Sequence, residues 1–148
     1  MARVNPIVIH GIDHVVLRVC DVGRMKRFYC DVLGCTVEKV QADIGLTQLR
    51  AGRSLIDLVD VAGKLGQMGG APPGREGRNM DHLCLRVERL DGPTLQAYLQ
   101  SKAVAPGEIV SRYGADGQGP SMYLSDPEGN TVELKGPPSA TGSAGGPP

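Results

Sequence analysis

Aromatic residues are scarce in this chain of 148 residues: they make up 3% of it, and tryptophan is absent. A hydrophobic core must therefore be built mainly from aliphatic side chains, which the hydrophobic content of 41% can supply. Neither sign of charge is in excess, because Lys and Arg together number 16 and Asp and Glu together number 16. This balance predicts that neither nucleic acid nor an anionic membrane surface is a partner.

Long hydrophobic runs are also missing. No apolar stretch is long enough to cross a membrane, and no basic segment precedes an apolar run, so the sequence predicts neither a membrane span nor a signal peptide. The four cysteines form no CxxC pair. Their spacing predicts reduced thiols in a cytoplasmic protein, in preference to a disulfide framework or a zinc knuckle.

A motif of eight residues occurs twice. It reads IDHVVLRV at residues 12–19 and MDHLCLRV at residues 80–87, so that His14 and His82 occupy equivalent positions. Both copies alternate apolar and polar residues, which predicts two half-buried strands. A repeat of this kind fixes the architecture, because two equivalent units that pack about a pseudo-twofold axis can bring their imidazoles together.

The same order of elements follows each copy of the motif. After the first, the spacing predicts a helix over 22–32 and strands over 35–40, 46–49 and 55–61. After the second, it predicts a helix that begins after Asp91, strands over 107–110, 121–124 and 131–135, and a glycine-rich loop over 111–120.

The chain therefore divides into two modules with short flanking segments. Residues 1–10 are predicted to be a leader, 11–62 the first module, 63–79 a linker or lid loop, and 80–136 the second module. Residues 137–148 contain only Gly, Pro, Ser, Ala and Thr, which predicts a disordered tail.

Each module also carries one carboxylate inside an apolar strand, Asp57 in the first and Glu133 in the second. Because strand interiors are depleted of Asp and Glu, each acid either faces solvent or is kept for a function. Two imidazoles with one or two carboxylates can hold a divalent ion such as Ni, Co, Zn, Mn or Fe(II). The simpler interpretation, a satisfied core histidine and a solvent-facing acid in each module, remains open at this point.

The chain resembles the vicinal oxygen chelate superfamily, also called the glyoxalase/bleomycin-resistance/dioxygenase superfamily, over about residues 10–136. The resemblance rests on IDH at 12–14, FYCDVLG at 28–34, MDHL at 80–83 and DPEGNTVEL at 126–134. It implies an α+β fold of two βαβββ modules that form a curled, eight-stranded mixed sheet. It also implies metal ligands at His14, His82 and Glu133. The fourth ligand position, Glu or Gln in glyoxalase I-like members, falls on Asp57, which is one methylene shorter than Glu.

The resemblance implies a metal-dependent lyase or isomerase of glyoxalase I type that acts on a small carbonyl compound or its thiol adduct. The metal would polarise vicinal oxygens, and Glu133 or Asp57 would move a proton. Arg112, Tyr113 and Tyr123 are candidates for substrate contact. Alternatives are an extradiol-type Fe(II) dioxygenase, a thiol transferase of the fosfomycin-resistance kind, and a bleomycin-type binding protein. A homodimer is expected, and whether the ligands meet in one chain or across two remains open.

Overall fold

The computed structural model describes residues 4–139. Residues 4–13 form no helix or strand and are exposed. The first module then contains strands β1 (His14–Val19), β2 (Thr36–Gln41), β3 (Leu46–Ala51) and β4 (Ser54–Asp60). Between β1 and β2 lie helix α1 (Val22–Arg27) and a π-helical turn (Phe28–Val32), which together occupy the predicted helix, and a 3-10 turn (Ala42–Ile44) joins β2 to β3.

The second module repeats this order. It contains strand β5 (Leu83–Arg86), helix α2 (Gly92–Ser101), and strands β6 (Ile109–Gly114), β7 (Gly117–Ser125) and β8 (Thr131–Lys135). The connection between the modules holds one 3-10 turn (Gly66–Gly69). The predicted tail falls mostly on residues 140–148, which lie outside the described residues. No helix within residues 4–139 has the length and hydropathy needed to cross a bilayer.

The strands form two mixed sheets, ordered β1-β4-β3-β2 and β5-β8-β7-β6. In each sheet the first and last strands of a module pair in parallel, and the remaining pairs are antiparallel. The predicted α+β class and the paired βαβββ modules are confirmed. The strands do not join into one eight-stranded hydrogen-bonded sheet, however. At the free edge of β1, the Asn79 side chain accepts from Arg18 N at 3.1 Å and donates to Arg18 O at 3.0 Å, in place of a neighbouring strand.

The predicted glycine-rich loop at 111–120 is wrong. The segment forms the β6–β7 hairpin, in which Gly114 pairs with Gly117 and Tyr113 pairs with Gln118. Gly117 has a φ of 116°, a conformation that closes the hairpin and that glycine adopts without strain. The glycines of this segment therefore serve a tight turn between paired strands.

One hydrophobic core serves both modules. It takes alternate residues from the strands of both sheets, because successive side chains of a strand point to opposite faces. Helical residues complete it, and its fully buried members include Leu17, Val19, Met25, Tyr29, Leu49, Leu58, Leu99, Met122 and Val132. Every strand therefore presents its other set of side chains on a face that points away from this core.

The turn between β7 and β8 fastens the two modules to each other. Within the core, the Tyr29 hydroxyl donates to Asp126 Oδ2 at 2.8 Å. At the surface, Glu128 accepts from the backbone amides of Cys20 at 2.7 Å and Asp21 at 2.9 Å. The acidic turn thus binds the first helix of the other module through a buried phenol and two main-chain donors.

Substitution of Tyr29 by Phe should destabilise the protein by about 1.5–3 kcal/mol, because it removes a buried hydrogen bond to a charged group. Tyr98→Phe is the matched control. The Tyr98 hydroxyl also donates across the modules, to Val32 O at 2.7 Å, but its side chain is 40% exposed. Chemical denaturation should therefore give a smaller loss for Tyr98→Phe. Equal losses for the two variants would contradict the role assigned to the buried contact.

Candidate functional site

The first module presents His14 and Asp57 on the face of its sheet that points away from the core. In the parallel β1–β4 pair, His14 lies opposite Leu55 and Val16 lies opposite Asp57, so the imidazole and the carboxylate belong to the same face. Asp57 is nevertheless only 4% exposed. The negative charge of Asp57 adds to the raised pKa of His14, after the larger effect of the Asp13 hydrogen bond.

Gln48 is the partner of Asp57 that the sequence did not reveal. It pairs with Asp57 across the β3–β4 register, and its Nε2 donates to the two carboxylate oxygens at 3.1 Å and 3.3 Å. Gln48 stands between the buried residues Thr47 and Leu49. The alternation of β3 places it on the open face, but only the strand register shows that it meets Asp57.

The second module presents His82 and Glu133 in the same way. His82 Nε2 lies 3.2 Å from Glu133 Oε2, and the Glu133 side chain is 8% exposed. Tyr123 pairs with Glu133 across the β7–β8 register and meets the His82 ring edge-on, with ring centroids 5.4 Å apart. The adjacent Cys84 remains a neutral thiol, because desolvation, aided by the nearby Glu133 carboxylate, raises its pKa to about 11.

The three residues predicted to contact substrate all belong to this second module. The Arg112 guanidinium stacks over the Tyr123 ring at 4.4 Å from its centroid and donates to Ser121 Oγ at 2.6 Å. Tyr113 is 78% exposed. It lines a cavity of about 340 Å³ together with His82 and Glu133. The structure thus brings Tyr123, Arg112 and Tyr113 close to the His82–Glu133 pair.

The two His–carboxylate pairs do not come together in one chain. Each pair lies on the face of its sheet opposite to the common core, so the two pairs occupy opposite outer sides of the molecule. Within residues 4–139 no three side chains of His, Cys, Asp or Glu are positioned to hold one ion. Each chain therefore presents two half-sites.

The His82–Glu133 pair fits a divalent ion by its chemistry. The 3.2 Å between His82 Nε2 and Glu133 Oε2 matches the separation of about 3.0–3.4 Å for two atoms that bind one ion with bonds of about 2.1 Å. His14 Nδ1 donates to Asp13 Oδ1 at 2.7 Å, and His82 Nδ1 lies 3.5 Å from Asp81 Oδ2. A carboxylate on Nδ1 fixes the ring and leaves Nε2 to bind a metal, as is usual for metal-binding histidines.

A second cavity, of about 440 Å³, lies between the modules, away from both pairs. It is bordered by β1, by the turn between β3 and β4, and by β5. Its lining is largely aliphatic and includes Val15, Leu55, Ile56, Leu83, Leu85 and Leu134. Its chemistry suits an apolar ligand, in contrast to the polar open faces.

The model of the Glyoxalase/Bleomycin resistance protein/Dioxygenase superfamily matches residues 11–134, and the chain belongs to this superfamily. No curated protein sequence matches the chain. Among solved structures, a virulence protein from Salmonella typhimurium is 26% identical, with a TM-score of 0.73, over 88% of this chain and 99% of that chain.

Two further structures share the fold. An antibiotic-binding protein from Streptomyces is 24% identical with a TM-score of 0.66, over 88% of this chain and 98% of that chain. A lactoylglutathione lyase from Agrobacterium tumefaciens is 19% identical with a TM-score of 0.64, over 89% of this chain and 96% of that chain. At these identities the likeness establishes the fold, which therefore houses both a lyase and a binding protein.

His14 should titrate above the ordinary imidazole value in the metal-free protein. The hydrogen bond that His14 donates to Asp13 is the main cause of the raised pKa, and the charge of Asp57 adds to it against partial desolvation. Replacement of Asp13 by Asn should lower the pKa of His14, as measured by NMR titration of the imidazole protons. Asp81→Asn, the equivalent change in the other module, should leave His14 unaffected; a lowered His14 pKa in that variant would argue against a local cause.

Proposed function

We propose that the protein is a metal-dependent lyase or isomerase of glyoxalase I type. Its substrate would be a small carbonyl compound or its thiol adduct. The observation that carries this proposal is the 3.2 Å contact between His82 Nε2 and Glu133 Oε2 beside a cavity, with His14 and Asp57 on the corresponding face of the other module's sheet. The metal ligands are His14, His82 and Glu133, with Asp57 at the fourth position. The four cysteines are free thiols, which fits a reducing cytoplasmic location.

We place each complete site between two copies of the chain. The half-sites lie on outer faces on opposite sides of one core, so one copy must contribute His14 and Asp57 and another His82 and Glu133. A twofold dimer generates two such sites, because each copy offers both half-sites. Homodimer formation is therefore part of the proposal.

The residues of the second half-site can bind a substrate and move its proton. A divalent ion held there would polarise two neighbouring substrate oxygens and so acidify an adjacent C–H. Glu133 is the favoured base, because both oxygens of Asp57 already accept from Gln48. Tyr123 and Arg112 form one wall beside Glu133, and Tyr113 lies at the exposed rim of the cavity.

The shared site can be tested by mixing two inactive variants. His14→Ala and His82→Ala should each lose tight binding of cobalt(II), followed by its visible absorption. After co-refolding in equal amounts, heterodimers carry one intact site each, so about a quarter of the wild-type sites should return. A mixture that binds no more cobalt(II) than its components would contradict a site shared between copies. Unimpaired binding by both single variants would contradict the ligand assignment itself.

Proton transfer by Glu133 can be tested by isotope exchange. The wild-type protein should exchange the hydrogen on the carbon next to the ketone, in the thiol adduct of a 2-oxoaldehyde, with deuterium from D₂O, followed by NMR. Glu133→Gln should lower kcat by about 100-fold or more. Asp57→Asn, in which an amide also replaces a buried carboxylate, should lower kcat less. Both variants are compared at saturating metal, and a larger loss in Asp57→Asn would transfer the role of base to Asp57.

A second candidate function is that of a protein that sequesters an apolar compound. The aliphatic cavity of about 440 Å³ between the modules favours it, and an antibiotic-binding protein shares the fold. This function needs neither His14 nor His82. It would replace the first proposal if the wild-type protein bound no metal ion but did bind an apolar ligand. Substitution of Leu83 or Leu134, which line the cavity, should then weaken the binding of that ligand.

A further inference from the structure

The open face of the second sheet carries a row of polar residues next to the His82–Glu133 pair. Across the strands, Glu133 lies between Cys84 and Tyr123, and Lys135 lies between Arg86 and Ser121. Glu133 and Lys135 are two residues apart on one strand and therefore share a face, about 7 Å from each other. The row that contains Lys135 is thus one step along the sheet from the proposed metal ligand.

Lys135 is buried without a counter-ion among the described residues. It is only 6% exposed. Its Nζ donates to Gly117 O at 3.3 Å, and no carboxylate of residues 4–139 lies within salt-bridge distance of it. Burying an unpaired ammonium group costs several kcal/mol. A bound anion would offset that cost.

The β6–β7 hairpin is shaped around this lysine. A Cβ atom at Gly114 would lie 3.1 Å from Lys135 Cε, and one at Gly119 would lie 2.5 Å from Pro137 O and 3.1 Å from Lys135 Nζ. Larger residues at either position would crowd the lysine side chain. The glycines of the hairpin therefore leave room for the ammonium group in its buried position.

Charges of both signs line the cavity of about 340 Å³ at which Lys135 lies, since Arg86, Asp116 and Glu133 also border it. Arg86 is paired with Asp116 at 2.9 Å, so its charge is largely balanced. Arg112 donates to Ser121, the residue opposite Lys135, but does not line the cavity. Lys135 is therefore the lysine or arginine of this lining that has no acidic partner among residues 4–139, and the cavity is large enough for a small molecule.

We propose that Lys135 forms an anion-binding subsite for the substrate. The substrate would then carry a carboxylate, phosphonate or phosphate group a few bonds from the oxygens that the metal chelates. The distance of about 7 Å between neighbouring positions on one face of a strand sets that spacing. The position of the subsite relative to the metal depends on the proposed function, but anion binding by Lys135 does not.

The subsite can be tested with inorganic phosphate and the metal-free, full-length protein at low ionic strength. Phosphate should bind saturably and shift the amide NMR signals of the hairpin glycines, Gly114, Gly117 and Gly119. Lys135→Met removes the charge at nearly constant length and should weaken binding about tenfold or more, since a charge-assisted bond is lost. Lys135→Arg should retain binding within about threefold.

A control separates this site from general attraction by positive charge. Lys102→Met removes an exposed lysine that directly follows α2 and should bind phosphate as the wild type does. Equal affinity in the wild type and Lys135→Met would overturn the proposal, and so would non-saturable shifts spread over the whole surface. If Lys135→Met does not fold, the comparison is made with Lys135→Gln, and wild-type phosphate affinity in that variant would overturn the proposal.

The outcome is independent of the proposed reaction. His82→Ala should lose cobalt(II) but retain phosphate binding. If the wild-type protein binds no cobalt(II) but binds phosphate through Lys135, the metal-dependent reaction is rejected and the anion subsite is retained. Cobalt(II) bound by a protein that shows no saturable phosphate binding would reject the subsite alone.

Discussion

The structure depends on one constraint, the alternation of side chains along every strand around a single shared core. Leu17 and Val19 from the first sheet, and Val132 and Leu134 from the second, are buried in the same cluster. Because this cluster takes one face of each sheet, the intervening residues are directed outward. His14, Asp57 and Glu133 are all intervening residues. The position of every proposed ligand thus follows from which residues pack in the core.

The two acids on these open faces are more buried than their positions suggest. Asp57 is 4% exposed and Glu133 is 6% exposed, although each stands in a strand whose other face is apolar. Burial of a carboxylate is unfavourable unless hydrogen bonds or opposite charges compensate it. Asp57 accepts from Gln48, and Glu133 Oε2 lies 3.2 Å from His82 Nε2. Each acid therefore has a polar neighbour on its own open face, and the Glu133 oxygen and the His82 nitrogen lie at the separation that a shared cation requires.

The sequence predicted the repeated βαβββ order, since the motif around His14 recurs around His82 and the closing turn and strand are specific. It did not predict that the eight strands form two separate sheets, or that the Asn79 side chain bonds the main chain of Arg18 at the edge of β1. It also misjudged residues 111–120, where glycines that indicate a loop in fact close a hairpin around Lys135. Gln48 and Lys135 were missed for one reason: their roles depend on cross-strand register and burial, and no local pattern encodes these.

Because the proposed metal site is divided between two copies of the chain, metal binding is coupled to dimer formation. Within one chain each half-site offers only an imidazole and a carboxylate, and two ligands hold an ion far less tightly than three or four. In the proposed shared site, the ion binds tightly only to the assembled pair, so metal binding and association of the copies stabilise each other. Lys135 differs in this respect, because its anion subsite lies wholly within the second module. A substrate anion could therefore bind before the site is complete, whereas chelation of its oxygens requires the second copy.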